Sequence, residues 1–213
     1  MTYPSMTNVR RRFVGVPSSL ASIVALAAAV LTSACAPSAS AARAHSASAA
    51  AATEGERYSV YDLDTRWRDQ HGTARQLSSL RGRPQVVAMI YTHCSTTCPF
   101  TVAEMKRIER ESPRDVGFVL VSLDPARDDP ARLAMFASER GLDAARWTLL
   151  DGSDDAVREL ATVLGVRYRR VSPEELAHSN ALTLLDADGA VVYQHAGLDA
   201  SAEVERAIDA LAR

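Results

Sequence analysis

From Gln85 to Tyr91 the chain reads Gln, Val, Val, Ala, Met, Ile, Tyr. Such an almost unbroken apolar run is the pattern of a strand buried on both faces. Val116–Ser122 repeats it. Between the two, Val102, Met105 and Ile108 share one face of a helix predicted over Pro99–Glu111, with Pro99 suited to its first turn. A second helix is predicted over Pro130–Arg140, with Leu133, Phe136 and Ala137 inward and Gly141 ending it. Trp147–Leu150 reads as a short strand. Ser153 caps a third helix over Asp154–Leu164, stopped by Gly165. Leu182–Leu185 and Ala190–Tyr193 flank Asp186-Ala187-Asp188-Gly189 as a hairpin, and Ser201–Leu211 closes the chain as a helix. Upstream, Tyr58–Asp64 alternates as a strand, Asp69-Gln70-His71-Gly72 turns, and Arg75–Leu80 returns. The order is a hairpin, then βαβαβα, a second hairpin and a helix. It predicts an α/β, thioredoxin-like fold with an additional N-terminal β-hairpin and right-handed crossovers.

Composition adds limits. The chain has 213 residues, 47% hydrophobic and 23% charged, which suits one domain plus extensions and excludes disorder throughout, collagen and a cysteine-stapled miniprotein. With 24 basic against 26 acidic residues the net charge is −2, so no basic field holds a nucleic acid. Lys106 is the only lysine, which reads as codon bias of the source.

The N-terminus reads as an address. Arg10, Arg11 and Arg12 precede a mostly apolar run from Phe13 to Leu31, and no acidic residue occurs before Glu54. The run is Ala-rich and contains Pro17, whereas a spanning helix wants about 20 strongly apolar residues. Residues 1–34 are therefore predicted as a signal peptide, with a retained membrane helix as the alternative. Cys35 stands where a bacterial lipobox places its acylated cysteine. Ser33 and Ala34 fit that pattern; Thr32 takes the position usually held by Leu. Arg10-Arg11-Arg12-Phe13-Val14 also resembles a twin-arginine export motif. Every branch exports the chain, with membrane association through an N-terminal lipid or an uncleaved signal. Loss of the three arginines leaves 21 basic against 26 acidic residues, or −5. Residues 35–56 are Ala/Ser-rich and predicted to be a flexible tether, leaving 57–213 as the folded domain.

The chemistry centres on Cys94 and Cys98, just after the strand Gln85–Tyr91 and at the start of the first helix. There both sulfurs are expected to face the positive end of the helix dipole, which favours thiolate. Their i, i+4 spacing places them close enough to share a soft metal or to close a disulfide. A purely structural disulfide is the bland reading, but so short a loop gains little from cross-linking. His93, beside Cys94, either tunes its thiolate or faces solvent, and the latter is favoured; His71 in a turn and His195 at a strand end read as residues without a role.

The segment Tyr91-Thr92-His93-Cys94-Ser95-Thr96-Thr97-Cys98-Pro99 resembles the C-x-x-x-C-P motif of the Sco/SenC family of copper-binding, thioredoxin-fold proteins. The likeness continues through Val121-Ser122-Leu123-Asp124-Pro125-Ala126-Arg127-Asp128-Asp129-Pro130, through Trp147-Thr148-Leu149-Leu150-Asp151-Gly152, and at His178-Ser179. It implies a copper site, Cu(I) or Cu(II), formed by Cys94, Cys98 and His178, with His178 in a loop beside the cysteines. It also implies Asp124 as an acid close to the site, orienting a ligand or receiving a proton, or else a simple turn residue. Family members commonly carry Asp and Pro between the cysteines and an acid before the histidine. Here Ser95-Thr96-Thr97 and Ala177 stand instead.

Two functions follow from the resemblance. One is a copper metallochaperone delivering to the copper-A-bearing subunit of cytochrome c oxidase, in exchange with other copper chaperones or thiol reductants. The other is an extracytoplasmic thiol–disulfide oxidoreductase using Cys94 and Cys98 as a redox pair. A retained His178 favours the first, because a redox enzyme needs no third ligand. A thioredoxin-like peroxidase is a weaker third option.

Overall fold

A computed structural model describes residues 58–211, apart from 114, 198 and 200. The expected signal peptide, Cys35 and the tether lie outside the described residues. The described chain opens with a short 3-10 helix, Val60–Asp62, capped by the Ser59 hydroxyl accepting from the Tyr61 N–H. Strands β1 (Trp67–Asp69) and β2 (Ala74–Arg75) pair antiparallel, and a second 3-10 helix follows at Leu77–Leu80. Then come β3 (Gln85–Ile90), α1 (Cys98–Glu111), β4 (Gly117–Ser122), α2 (Pro130–Arg140), β5 (Trp147–Gly152) and α3 (Asp154–Val163). The last elements are β6 (Tyr168–Ser172), β7 (Glu175–His178), β8 (Ala181–Leu185), β9 (Val191–Ala196) and α4 (Ser201–Leu211).

Seven strands form one sheet in the order β2-β1-β5-β4-β3-β8-β9. The central β5, β4 and β3 run parallel; β8 pairs antiparallel with β3, and β1 with β5. This is a thioredoxin-like α/β fold. Every residue of β3 and β4 is buried, as their continuous apolar runs require. α1 and α4 pack together, and α2 lies against β5. Phe118 and Trp147 stack at 5.0 Å between ring centroids, joining β4 to β5.

Local signals fix the helix ends. Asp129 caps α2 by accepting from the Arg132 N–H, and Gly141 closes it at φ +60, a left-handed conformation that costs glycine little. Ser153 caps α3 through the Ala156 N–H.

Three segments depart from the sequence expectation. Tyr58–Asp64 is not a strand: only Ser59 bridges to Ala190, and the 3-10 turn instead buries Val60 and Tyr61. Arg75–Leu80 leaves the strand after Arg75 and turns to bury Leu77. The segment before His178, expected to be a loop, is a separate two-stranded hairpin of β6 and β7.

Candidate metal centre

The end of β3 delivers the chain into the cysteine loop. Thr92 is held there by Asp128, a fully buried carboxylate from the loop after β4. Asp128 accepts from the Thr92 N–H at 3.0 Å, from the Thr92 hydroxyl and from the Ser122 hydroxyl at 2.7 Å. Arg132 donates to the same Thr92 hydroxyl at 2.9 Å. Cys94 follows in the turn, and Cys98 is the first residue of α1. Both thiols are free and buried.

His178 arrives from the other side as the last residue of β7. Its Nε2 lies 3.6 Å from Cys98 Sγ. Its Nδ1 lies 3.2 Å from the Ser179 carbonyl oxygen. A carbonyl only accepts, so Nδ1 carries the proton and Nε2 turns its lone pair toward the sulfur. The ligand atoms of Cys94, Cys98 and His178 all lie within 4.8 Å of one another. Two sulfurs and an imidazole nitrogen make a soft donor set suited to Cu(I) and able to hold Cu(II).

The two thiols are not equivalent. Burial opposes ionisation of Cys94, but the Cys98 backbone N–H, 3.5 Å from its sulfur, and the Thr96 hydroxyl outweigh it and hold the thiol down at about 5. Cys98 goes the other way: burial first, and then the neighbouring Cys94 sulfur, push it well above the usual thiol range. The expectation that the helix dipole favours both thiolates therefore holds for Cys94 and fails for Cys98, where desolvation wins. Metal-free, the pair is one thiolate beside one thiol, and the Cys98 S–H faces the His178 lone pair.

Tyr91 packs between two histidine rings, edge-on to His93 at 4.8 Å and to His178 at 5.8 Å. Its hydroxyl is pushed up to about 12 by burial and by the Cys94 sulfur. His93 is not solvent-facing as expected: it sits against Tyr91 with Nε2 3.4 Å from Asp124 Oδ2. Asp124 is fully buried and makes no hydrogen bond to Cys94, Cys98 or His178 among the described residues. It pairs instead with Arg127 and Arg170, each at 2.7 Å. His195 bonds Glu203 and Asp199 at the surface, and His71 lies in the β1–β2 turn; neither joins the centre. Asp128 was missed by the sequence reasoning. The signal was the pair Asp128-Asp129 before Pro130, one acid more than a helix cap needs.

A thioredoxin-like domain with two cysteines where a buried strand meets a helix, and a histidine closing on them, defines a thiolate–imidazole metal-binding member of that fold. The chain belongs to the SCO1/SenC family, whose sequence profile matches residues 56–213. The SCO1 protein homolog of Bacillus subtilis is 27% identical over 139 residues, covering 62% of this chain and 72% of its own. The copper-bound ScoI of Bradyrhizobium japonicum superposes with TM-score 0.59 at 27% identity, covering 70% of this chain and 96% of its own. A SCO1/SenC family lipoprotein of Bacillus anthracis gives TM-score 0.65 at 26% identity, covering 72% and 96%. Among the described residues no helix is long and apolar enough to cross a membrane.

Proposed function

We propose that this protein is a copper metallochaperone that binds one copper through Cys94, Cys98 and His178 and delivers it to the copper A centre of cytochrome c oxidase. The observation that carries the reading is the convergence of those three ligand atoms within 4.8 Å, with the imidazole already presenting its lone pair. Family membership and the copper-bound Bradyrhizobium relative support the choice of metal. Loading replaces the Cys98 proton with the metal, so copper uptake releases that proton. Transfer proceeds by ligand exchange, the receiving thiolates displacing the three ligands in turn. Asp124 supports the site from behind His93. Export, removal of residues 1–34 and acylation of Cys35 place the domain at the outer face of a membrane. The B. anthracis lipoprotein supports that location.

A second reading has an observation of its own. A low-pKa Cys94 backed by a buried Cys98 is also the arrangement of an attacking and a resolving thiol, so a thiol–disulfide oxidoreductase acting on a partner's cysteines fits the same pair. One experiment separates the two. Copper-loaded protein is mixed with the reduced, metal-free soluble copper A domain, and the copper A absorption is followed. The chaperone reading expects stoichiometric appearance of that spectrum. Failure to transfer, together with reduction of the domain's disulfide when reduced, metal-free protein is mixed with the oxidised domain in a parallel arm, selects the oxidoreductase.

A further inference from the structure

The β6–β7 hairpin that supplies His178 is not part of the main sheet. Among the described residues no backbone–backbone hydrogen bond joins residues 168–178 to the seven-stranded sheet. Something else must fix it. In its register Arg170 lies opposite Leu176 and Tyr168 opposite His178. Cross-strand partners share a face, as do alternate residues of one strand, so these four side chains lie on the same side of the hairpin. Leu176 is buried there. From the same face Arg170 Nη2 reaches Asp124 Oδ1 at 2.7 Å, and Asp124 is 0% exposed. The other Asp124 oxygen takes Arg127, whose Nη1 returns to Glu174, beside the hairpin turn, at 3.0 Å. Arg170 also donates to the Pro173 carbonyl, tying its own strand to that turn.

We propose that Arg170 is a positioning residue for the third metal ligand: its ion pair with buried Asp124 locks the hairpin in the register that brings His178 Nε2 to the cysteines. Asp124 is thereby a shared anchor. One oxygen holds the hairpin through Arg170, while the other lies against His93, the neighbour of Cys94. Arg170 is half exposed but its partner carboxylate is fully buried, so the contact is a charge-assisted bond at the edge of the interior. Removing Arg170 does not strand the carboxylate, because Arg127 remains on it. The cysteine pair stays in place while the imidazole loses its register. Two thiolates satisfy Cu(I) better than they satisfy Cu(II), so the loss falls mainly on Cu(II).

This inference rests on the copper reading for its metal arm, and its test has a metal-free arm as well. In the full chain, Arg170→Leu is compared with Arg170→Lys and with Arg169→Leu on the same strand. Metal-free, the nuclear Overhauser contact between the His178 ring and Cys98 is expected to vanish in Arg170→Leu, to return in part in Arg170→Lys and to persist in Arg169→Leu. With Cu(II), Arg170→Leu should lose the nitrogen hyperfine signature of imidazole and bind about 10-fold or more weakly. In a His178→Ala background the same substitution should change affinity by less than about twofold, because the two act through one ligand. A retained contact with wild-type Cu(II) spectra overturns the proposal. So does an equal loss in the His178→Ala background, which marks general loosening of the fold. Absence of copper binding by the wild-type chain overturns the copper reading alone, and the metal-free contact still decides the role of Arg170.

Discussion

Cys98 and His178, 80 positions apart, meet at 3.6 Å across the gap between the first helix and a hairpin that the main sheet does not hold. The cysteine is fixed by a helix; the histidine is fixed by a strand pair with few attachments. The ligands therefore differ in how firmly the fold holds them, and substitutions should report that difference.

Replacing either cysteine by Ser removes a thiolate, the softest donor present. Cys94→Ser and Cys98→Ser are expected to abolish Cu(I) binding under chelator competition. His178→Ala should leave a two-thiolate Cu(I) site weakened by about 10-fold to 100-fold and should remove tight Cu(II) binding. His71→Ala and His195→Ala should bind as wild type does. Unchanged Cu(II) affinity in His178→Ala would remove imidazole from the ligand set.

The thiol asymmetry predicts a pH profile. Reduced, metal-free protein should be alkylated at Cys94 with a midpoint near pH 5, while Cys98 stays unreactive until the protein unfolds. The same shift is a stability term. Because the folded pKa of Cys94 lies below its ordinary 9.0, its contribution is fully present above pH 9, falls as the pH drops, and is gone below about 5. Cys98, shifted upward, contributes below pH 9 and loses that contribution at higher pH. Of the two cysteines only Cys94 changes the balance between pH 5 and 9, so the stability difference between wild type and Cys94→Ala should grow with pH there. A flat difference would show that Cys94 keeps its proton.

Asp128 tests whether the cysteine loop is held from behind. Its carboxylate satisfies the Thr92 N–H and two hydroxyls in a fully buried position. Asp128→Ala leaves those donors without partners and should cost about 3 kcal/mol in chemical denaturation. Asp128→Asn keeps an acceptor but cannot accept from all three, and should cost about 1 to 2 kcal/mol. Wild-type stability in Asp128→Ala would mean that water replaces the carboxylate.

Much of this centre was legible in the sequence because its scaffold obeys periodicity. The buried runs of β3 and β4, the α2 boundaries and the cysteine placement follow from apolar pattern and caps. The β6–β7 hairpin was hidden. Arg167, Arg169 and Arg170 with Glu174 and Glu175 leave no alternating apolar signal, and Leu176 is its one buried residue. Two of these exposed charges nevertheless tie the hairpin down, Arg170 through Asp124 and Glu174 through Arg127. The helix dipole favours thiolate in a thiol at the open mouth of a helix, whereas Cys98 is 1% exposed, and burial decides its proton.

Oxidation of the cysteine pair should gate copper binding. Copper needs both sulfurs as free thiolates, so Cys94 and Cys98 cannot hold it while bonded to each other. Their sulfurs lie within 4.8 Å, and closing to the roughly 2.05 Å of a disulfide needs only local movement of Ser95-Thr96-Thr97. The Cys94 thiolate attacks an added disulfide such as oxidised glutathione, and Cys98 resolves the mixed disulfide with release of reduced glutathione, so oxidation by that reagent should proceed above about pH 5. Oxidised protein is therefore expected to take up almost no Cu(I), and reduction to restore one copper per chain without refolding. The core is unaffected because β3, α1 and their buried neighbours do not depend on the bond. The measurement is a chelator-competition titration of oxidised and reduced protein, read beside circular dichroism. Equal Cu(I) affinity in both states would show that the cysteines are not the ligands. A large loss of secondary structure on reduction would show that their bond is a structural staple instead.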